Sequence, residues 1–378
     1  MKQPLSLFTQ RVIAMCSIAF CLLFVWSFKK TKPLTFRSVD PAFSAYVYAY
    51  SSGELGRRSP IRVRFTESVA SRSVIGTEVA AAIFSLSPTV AGKAVWGDAN
   101  TIEFTPSEPL KASELYTATV HLDAIFKNVP KRFETFDWDF RAKAQTITVT
   151  TDGFTTPNSN DYTKTTYKGV VHTADYADDK AVEAAFECLQ TNNSSLKTTW
   201  KHDNEHRNHQ FTIENITRSA TKSELKMWWN GQGIDSEQKG DKTVEVAAIN
   251  NFKLLDVAMN SDDDGGSPHA ILQFSDPLKP EQNLEGLLTV NGQTLSASVA
   301  GNNLLVYAPS AWANKEKADN AYAAYDYSSY NNTKADFRSL QVHAGIKNTK
   351  DSVLRTESNW ALEFGEGKPA IRPVGKGV

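Results

Sequence analysis

Three of the seven histidines lie within eight residues of one another, and this cluster has the spacing of a metal site. They are His202, His206 and His209, with Glu205 just before the second of them. In a helix, the order His-x-x-Glu-His places two imidazole ligands and a carboxylate base on one face, as in the inverted zinc peptidases. A metallopeptidase is therefore one hypothesis for this chain, and it requires a helix across residues 200–210.

The flanking residues favour a β-hairpin over that helix. Residues 196–201 and 210–216 have the composition of strands, and Asn204 and Asn208 are residues that favour turns. A hairpin does not hold residues four apart on one helical face, so we predict no catalytic residue and no cofactor. Adventitious binding of Zn²⁺ or Ni²⁺ at this turn is favoured over catalysis, with three weak candidate ligands: His202, His206 and His209.

Three other stretches contain residue types that bind ligands in some proteins. The acidic run Asn260–Gly266 offers oxygen ligands for Ca²⁺, but it lacks the spacing of an EF-hand loop and is typical of a solvated interdomain loop. Trp228 and Trp229 are strand neighbours that face opposite ways, so we expect one in the core and the other exposed or at a domain boundary. Four tyrosines form a candidate binding loop or a disordered insertion: Tyr322, Tyr325, Tyr327 and Tyr330.

The charge of the chain is unevenly distributed. Residues 1–32 hold five of the 41 basic residues and none of the 42 acidic ones, which leaves a formal charge of −6 on residues 33–378. Over the whole chain, the near-equal numbers of basic and acidic residues argue against a nucleic-acid-binding protein. The sequence also contains no phosphate-binding loop, no dinucleotide fingerprint and no Gly-x-Ser-x-Gly motif.

The amino terminus has the pattern of a membrane-targeting segment. Residues 12–28 form an almost continuous apolar run between Arg11 and the pair Lys29–Lys30. The run is longer than a signal-peptide core of about 7–15 residues and slightly short for a membrane span of about 20. No small-x-small cleavage site follows it, so we predict an uncleaved signal anchor. A cleaved signal peptide, or lipidation at Cys16 or Cys21, is the alternative. The predicted location is the bacterial cell envelope, with the protein anchored in the membrane and facing the periplasm or the exterior.

Alternation of apolar and polar residues predicts an all-β fold for the rest of the chain. Short alternating stretches separated by turn residues are typical of β-sandwiches, and four clear ones are 60–65, 101–105, 116–122 and 146–150. One helix is predicted from Asp178 to Leu189, because five apolar residues there fall on one helical face. Cys188 lies on the apolar side of this helix and is interpreted as a small hydrophobic residue.

An internal repeat relates the two ends of this β-rich region. Each copy has a Ser-Pro strand, a later strand that ends in Pro, and a Val-His pair: Ser59–Phe65, Thr101–Pro106 and His121 in the first, Ser267–Phe274, Leu304–Pro309 and His343 in the second. The offset is 208 residues at the first serines and grows to 222 at the histidines. We attribute the difference to an inserted surface loop, 314–336. The strands between the copies, roughly 143–250, form a different unit.

The order of these motifs resembles the amino-terminal part of bacterial alpha-2-macroglobulin-like proteins. The resemblance is carried by Ser59–Phe65, Asn100–Pro106 after Trp96, Lys168–Asp175, Trp200–His202, Phe211–Ile213 and the tail Lys368–Val378. It implies tandem Ig-like and macroglobulin-type β-sandwich domains after an N-terminal membrane-targeting helix. The implied domains are 1–32 as signal anchor or signal peptide, 33–142 as an Ig-like sandwich, 143–250 as a macroglobulin-type sandwich with a short helix, 251–366 as a second Ig-like sandwich, and 367–378 as a linker into a missing next domain.

The resemblance also implies a function. Such proteins are large envelope proteins that trap peptidases with a bait segment and a conformational change, and some carry a thioester between the Cys and Gln of Cys-Glu-Gln. Here Cys188-Leu189-Gln190 has Leu in the middle, so no thioester is predicted. No bait segment is visible, so we expect a non-catalytic arm that meets peptidases through missing downstream domains. The alternative is a membrane-tethered, Ig-like structural or adhesive surface protein. Sequencing the DNA beyond Val378 separates the two, because only the first requires further sandwich domains.

Overall fold

Strands dominate the part of the chain that the structure describes. The computed structural model describes residues 36–158, 161–191, 193–260, 269–307 and 337–363. Within these ranges the fold is all-β, as the alternation predicts, with one α-helix, α1 (Asp179–Ala185). Four short 3₁₀ helices accompany it: Pro41–Ala45, Leu122–Ala124, Lys131–Phe133 and Gly231–Ile234. No helix in these ranges is long and apolar enough to cross a membrane.

The described residues contain 23 strands. In order they are β1 Val47–Tyr50, β2 Gly53–Leu55, β3 Ile61–Phe65, β4 Phe84–Ser87, β5 Gly92–Asp98, β6 Thr101–Pro106, β7 Leu115–His121, β8 Thr135–Ala142, β9 Ile147–Thr155, β10 Lys164–Thr173, β11 Phe186–Gln190, β12 Lys197–His202, β13 Asn208–Thr217, β14 Ser223–Asn230, β15 Lys239–Val246, β16 Leu254–Asn260, β17 His269–Phe274, β18 Leu288–Val290, β19 Gln293–Thr294, β20 Ser296–Ala300, β21 Asn303–Tyr307, β22 Phe337–Val342 and β23 Ser358–Glu363.

The first of two compact units comprises residues 60–105, 115–141 and the described part of 1–54. Its strands form two antiparallel sheets, β1-β3-β6-β5 and β2-β8-β7-β4. The alternation in the sequence decides which side chains are buried. In β8, Phe136, Trp138 and Phe140 are fully buried, and the residues between them stay partly exposed. Trp138 donates its indole N–H to the Ser51 carbonyl at 2.7 Å, so this large core side chain keeps a hydrogen-bond partner.

The second unit contains Leu55–Ser59, Pro106–Glu114 and the described residues from Ala142 onward. The sheets β12-β13-β10-β9 and β11-β14-β15 enclose one apolar core, to which α1 contributes Val182. The sheets β16-β17-β21-β20 and β19-β18-β22-β23 enclose another. Each pair buries apolar side chains from both of its sheets, which is the arrangement of a β-sandwich. The three domain boundaries drawn from the sequence stay a prediction.

The internal repeat is also present in the fold. The order β1-β3-β6-β5 of the first copy corresponds to β16-β17-β21-β20 of the second, and β4-β7-β8 corresponds to β18-β22-β23. Two backbone hydrogen bonds recur at equivalent positions: the Phe65 N–H donates to the Asn100 carbonyl (2.7 Å) as Phe274 does to Asn302 (2.9 Å), and the His121 N–H donates to the Ile83 carbonyl as His343 does to Leu287 (both 2.9 Å). The repeated motifs therefore mark equivalent points of one topology.

The predicted helix Asp178–Leu189 is wrong over its C-terminal part. Helix α1 begins after Asp178, whose carboxylate accepts the Ala181 N–H at 3.1 Å, and it ends at Ala185. The next five residues form β11, which pairs with β14. Cys188 therefore lies in a strand, where it is half-buried and packs against the core. Apolar residues at the end of α1 fit both the helical and the strand period, and pairing with β14 decides between them.

The tryptophan prediction is confirmed, whereas several others cannot be compared with the structure. Trp228 is exposed on β14, and its neighbour Trp229 packs against the core. The apolar segment 12–28, the acidic run 261–266, the insertion 314–336 with its tyrosines, and the linker 367–378 lie outside the described residues.

Candidate metal centre

The three clustered histidines lie on one β-hairpin. β12 ends at His202 and β13 begins at Asn208, so residues 203–207 form the turn. The helix that a His-x-x-Glu-His peptidase site requires is absent from these residues. His202 and His209 pair directly across the hairpin and therefore lie on the same face of the sheet. That face points to the core, because the His209 side chain is fully buried and Trp200, two residues before His202, packs in the core.

The turn brings His206 to the same region. Its backbone is left-handed, with φ of +52°, a conformation that is uncommon outside Gly and in which Asn, Asp and His are enriched. The Asp203 carboxylate stabilises this shape by accepting the Arg207 N–H at 2.9 Å and the Asn208 side-chain amide at 2.7 Å. The His206 carbonyl accepts the Ala177 N–H at 3.0 Å, which fixes the turn to the segment that leads into α1.

Helix α1 supplies a fourth donor atom, because its first residue, Asp179, faces the hairpin. Oδ1 of Asp179 lies 2.8 Å from Nδ1 of His206. The same oxygen lies 3.4 Å from Nδ1 of His202 and 3.5 Å from Nδ1 of His209. The Nδ1 atoms of His202 and His209 are 2.8 Å apart. Asp179, His202 and His209 thus place three donor atoms within 4.8 Å of one another, and His206 contacts this group through Asp179. We call these four residues the His₃Asp cluster.

Glu183, one turn further along α1, contacts the cluster from outside. Its Oε1 lies 3.1 Å from Nε2 of His202. An ionised carboxylate only accepts hydrogen bonds, so this contact puts a proton on Nε2 of His202, and in the neutral ring it leaves a lone pair on Nδ1. Nδ1 is the atom that faces Asp179 and His209. Histidines that bind a metal commonly donate their second N–H to a carboxylate in this way.

Burial sets the charge of the innermost histidine. His209 is 0% exposed, and its Nε2 has no hydrogen-bond partner. Desolvation, together with the neighbouring His202, lowers the pKa of His209, so its imidazole is neutral at pH 7. Neutral imidazole is the form that binds metals. Exposure rises outward to 16% for His202, 31% for Asp179 and 37% for His206, so solvent reaches the cluster at the turn.

The structure thus brings together His202, His206 and His209, the weak metal candidates of the sequence. Glu205, the base of the peptidase hypothesis, is 75% exposed and lies 3.6 Å from the Arg207 guanidinium, outside the cluster. Sequence reasoning missed Asp179 and Glu183. The sequence does predict a helix start at Asp178, but it carries no signal that this helix start packs against the hairpin.

A comparison with known protein families identifies one domain. Residues 30–142 match the family model of the bacterial Ig-like domain. The match supports the Ig-like part of the resemblance, and nothing in the comparisons indicates an alpha-2-macroglobulin-like protein specifically. No curated protein matches the chain.

Two solved structures of L,D-transpeptidases align with the chain with low TM-scores. The enzyme from Mycobacterium tuberculosis H37Rv is 10% identical, with 61% of this chain and 76% of that chain covered and a TM-score of 0.21. The enzyme from Mycobacterium smegmatis is 16% identical, with 50% and 76% covered and a TM-score of 0.18. TM-scores this low support no conclusion about function.

Proposed function

We propose that this chain is a non-catalytic scaffold of tandem β-sandwiches in the bacterial cell envelope, and that it forms the N-terminal arm of an alpha-2-macroglobulin-like peptidase inhibitor. One observation carries the proposal. The same sandwich topology occurs before and after a different sandwich, and the motifs follow one another in the order of that family. Repeated sandwiches in series suit a protein that positions other domains, because such modules stack without any chemistry of their own.

A buried ion pair within the second unit supports a scaffold with a fixed joint. Arg218 follows β13 and Asp276 follows β17, so the pair joins the strands of two consecutive cores. Nη1 of Arg218 lies 2.6 Å from Oδ1 of Asp276, and each side chain is 2% exposed. Breaking such a pair leaves a buried charge, so the joint resists bending. A flexible linker would show exposed, polar contacts here instead.

The residues nearest to a thioester motif support a structural role as well. The Gln190 amide is buried, and its Nε2 donates to the Thr217 carbonyl at 2.6 Å while its Oε1 accepts the Thr217 N–H at 3.0 Å. Burial raises the pKa of the Cys188 thiol, whereas an activated nucleophile needs a lowered pKa. Both side chains of Cys188-Leu189-Gln190 that a thioester would use are therefore occupied in packing and in hydrogen bonds.

The native gene product tests the proposal. An antibody against this chain is used to follow the product in fractions of the bacterium that carries the gene. We expect a membrane-associated species larger than 41.8 kDa, the mass of this chain. We also expect that, after an added peptidase has been bound, a large protein substrate is protected while a small peptide substrate is still cleaved.

A species of 41.8 kDa that leaves added peptidases unaffected would contradict the inhibitor role. The family match over residues 30–142 then favours the second candidate, a membrane-tethered Ig-like structural or adhesive surface protein. That candidate predicts binding of the product to cells or to envelope material, with no effect on peptidases.

A further inference from the structure

We propose that the His₃Asp cluster is a structural Zn²⁺ site, in which Asp179, His202, His206 and His209 hold the ion and so fasten α1 to the β12–β13 hairpin. The site does not depend on the proposed inhibitor role, because metal binding here requires only α1 and the hairpin.

Three of the four donor atoms, those of Asp179, His202 and His209, already lie within 4.8 Å of one another. Zinc bonds to imidazole nitrogen and carboxylate oxygen are about 2.0–2.2 Å, which puts neighbouring ligand atoms about 3.3–3.5 Å apart. Oδ1 of Asp179 lies 3.4 and 3.5 Å from Nδ1 of His202 and His209. Nδ1 of His206 lies 2.8 Å from Oδ1 of Asp179, and the Nδ1 atoms of His202 and His209 are also 2.8 Å apart. These two pairs need to open by about half an ångström to reach the tetrahedral edge. His206 lies outside the group of three and has to turn toward His202 and His209 to become the fourth ligand.

Glu183 orients His202 for a cation. Their contact, at 3.1 Å, puts a proton on Nε2 of His202, so in the neutral ring Nδ1 is an acceptor. That acceptor faces Oδ1 of Asp179 at 3.4 Å, and Nδ1 of His209 lies 2.8 Å from it. A cation among these three atoms would replace the hydrogen bond between the imidazoles with metal bonds. Glu183 then completes the carboxylate–histidine–metal arrangement that orients many zinc ligands.

The buried imidazole of His209 points the same way. Its Nε2 is buried without a hydrogen-bond partner, and an unsatisfied buried polar atom destabilises a fold. The other ring nitrogen must therefore make a strong interaction to keep the ring in this position. A metal bond at Nδ1 is such an interaction, because it is stronger than a hydrogen bond between two neutral imidazoles.

The donor set selects the metal and the role. Three imidazoles and one carboxylate suit Zn²⁺, whereas Ca²⁺ and Mg²⁺ require oxygen ligands. With His206 as the fourth ligand, the tetrahedron would be closed and no position would be left for a catalytic water, which is the mark of a structural site. The ligands come from α1, from the two strands and from the turn, so a bound ion would hold together segments that are separate in sequence.

Metal titration of the purified full chain, without a polyhistidine tag, tests the proposal. The chain is stripped with EDTA, and its zinc content and affinity are measured by elemental analysis and by competition with a chromophoric chelator. We expect one Zn²⁺ per chain with a Kd below about 1 μM. We also expect tetrahedral Co²⁺ absorption bands after cobalt replaces zinc.

Variants at partly exposed ligands keep the test free of misfolding. His206→Asn retains a residue that tolerates the left-handed backbone, and Asp179→Asn retains the shape of the side chain. We expect each to weaken Zn²⁺ binding at least 100-fold, and Glu183→Gln to weaken it about 10-fold, because the acceptor of the outer hydrogen bond loses its charge. His172→Asn is the matched control, since His172 lies on the neighbouring strand β10 and bonds to Thr150 and Asn208.

Two results would overturn the proposal. The first is a stripped chain that takes up less than one Zn²⁺ at micromolar concentrations. The second is binding that His206→Asn and Asp179→Asn leave unchanged, or that His172→Asn weakens equally, because the ion would then bind elsewhere on the surface. Circular dichroism of each stripped variant checks that its strands are intact.

Discussion

Replacing Arg218 with Met tests the buried ion pair of the second unit. The guanidinium pairs with Asp276 at 2.6 Å, and both side chains are almost fully buried. It also donates to the carbonyls of Ala247, Ala248 and Ser275 at 3.0–3.1 Å. Met retains most of the length and the apolar stem of Arg, so Arg218→Met removes the charge and the donors with little change in volume.

The magnitude of the loss follows from what the substitution leaves behind. Asp276 keeps the hydrogen bond from the Asn348 amide, at 2.9 Å, but its buried carboxylate loses the counter-ion. Removal of one partner from a buried ion pair costs about 3–5 kcal/mol. For a unit of about 200 residues each kcal/mol shifts Tm by about 2–4 °C, so we expect Arg218→Met to lower Tm by about 6–20 °C.

Calorimetry of the full chain provides the assay, because its separate transitions distinguish the two units. The exposed pair of Arg62 and Glu103, at 2.6 Å, is the control, and Arg62→Met should cost about 0–1 kcal/mol. The double variant R218M/D276N should recover part of the loss, since it removes the stranded charge. The reasoning is refuted if Arg218→Met melts within about 2 °C of the natural protein, or if the double variant is no more stable than the single one.

Three further changes test other parts of the second unit. The hydrogen bond from Lys253 lowers the pKa of Glu245 from 4.5. The stability that this carboxylate contributes is therefore present above pH 4.5 and is lost as the pH falls through the lowered pKa. In melts from about pH 6 to pH 3, the difference in Tm between the natural protein and Glu245→Gln should disappear. A Cβ at Gly169 would overlap the Thr150 carbonyl and the Phe211 ring, whereas a Cβ at Gly233 would meet open space. In urea melts, Gly169→Ala should lower the free energy of unfolding by about 1–3 kcal/mol, and Gly233→Ala should cause no loss of that size. Burial raises the pKa of the Cys188 thiol, so this thiol should react slowly with an aromatic disulfide. In a C16S/C21S background we expect its rate to be at least about tenfold below that of the exposed thiol in the same background with C188S and Leu189→Cys. Equal rates would contradict the interpretation of Cys188 as a packed, unactivated thiol.

The strands were predictable because their determinants are local. In β3 the residues alternate Ile-Arg-Val-Arg-Phe, and the structure buries the three apolar residues and exposes both arginines. Period-two patterning of this kind requires only that one face of a strand meets a core. The repeat was predictable for the same reason, since equivalent strands keep equivalent patterns 208 residues apart.

The end of α1 and the metal cluster depend on contacts that the local sequence does not encode. The helical pattern continues through Phe186 and Leu189, yet pairing with β14 converts those residues into a strand. The three histidines were visible as a cluster, but a hairpin predicts only that the paired His202 and His209 share a face. Asp179 joins them because α1 packs on that face, a contact across more than 20 residues of chain for which alternation and helical spacing give no signal.

The sheets around the middle core show what a bound metal would add there. Each copy of the internal repeat has two four-stranded sheets, whereas the middle core has a sheet of four strands and one of three. Helix α1 contributes to the middle core, but it has only seven residues and its one fully buried side chain is Val182. A helix this short is not stable without tertiary contacts, since isolated helices below about 12–15 residues are marginal. Bonds from an ion to Asp179 and to the hairpin would supply the contact that its small apolar face does not.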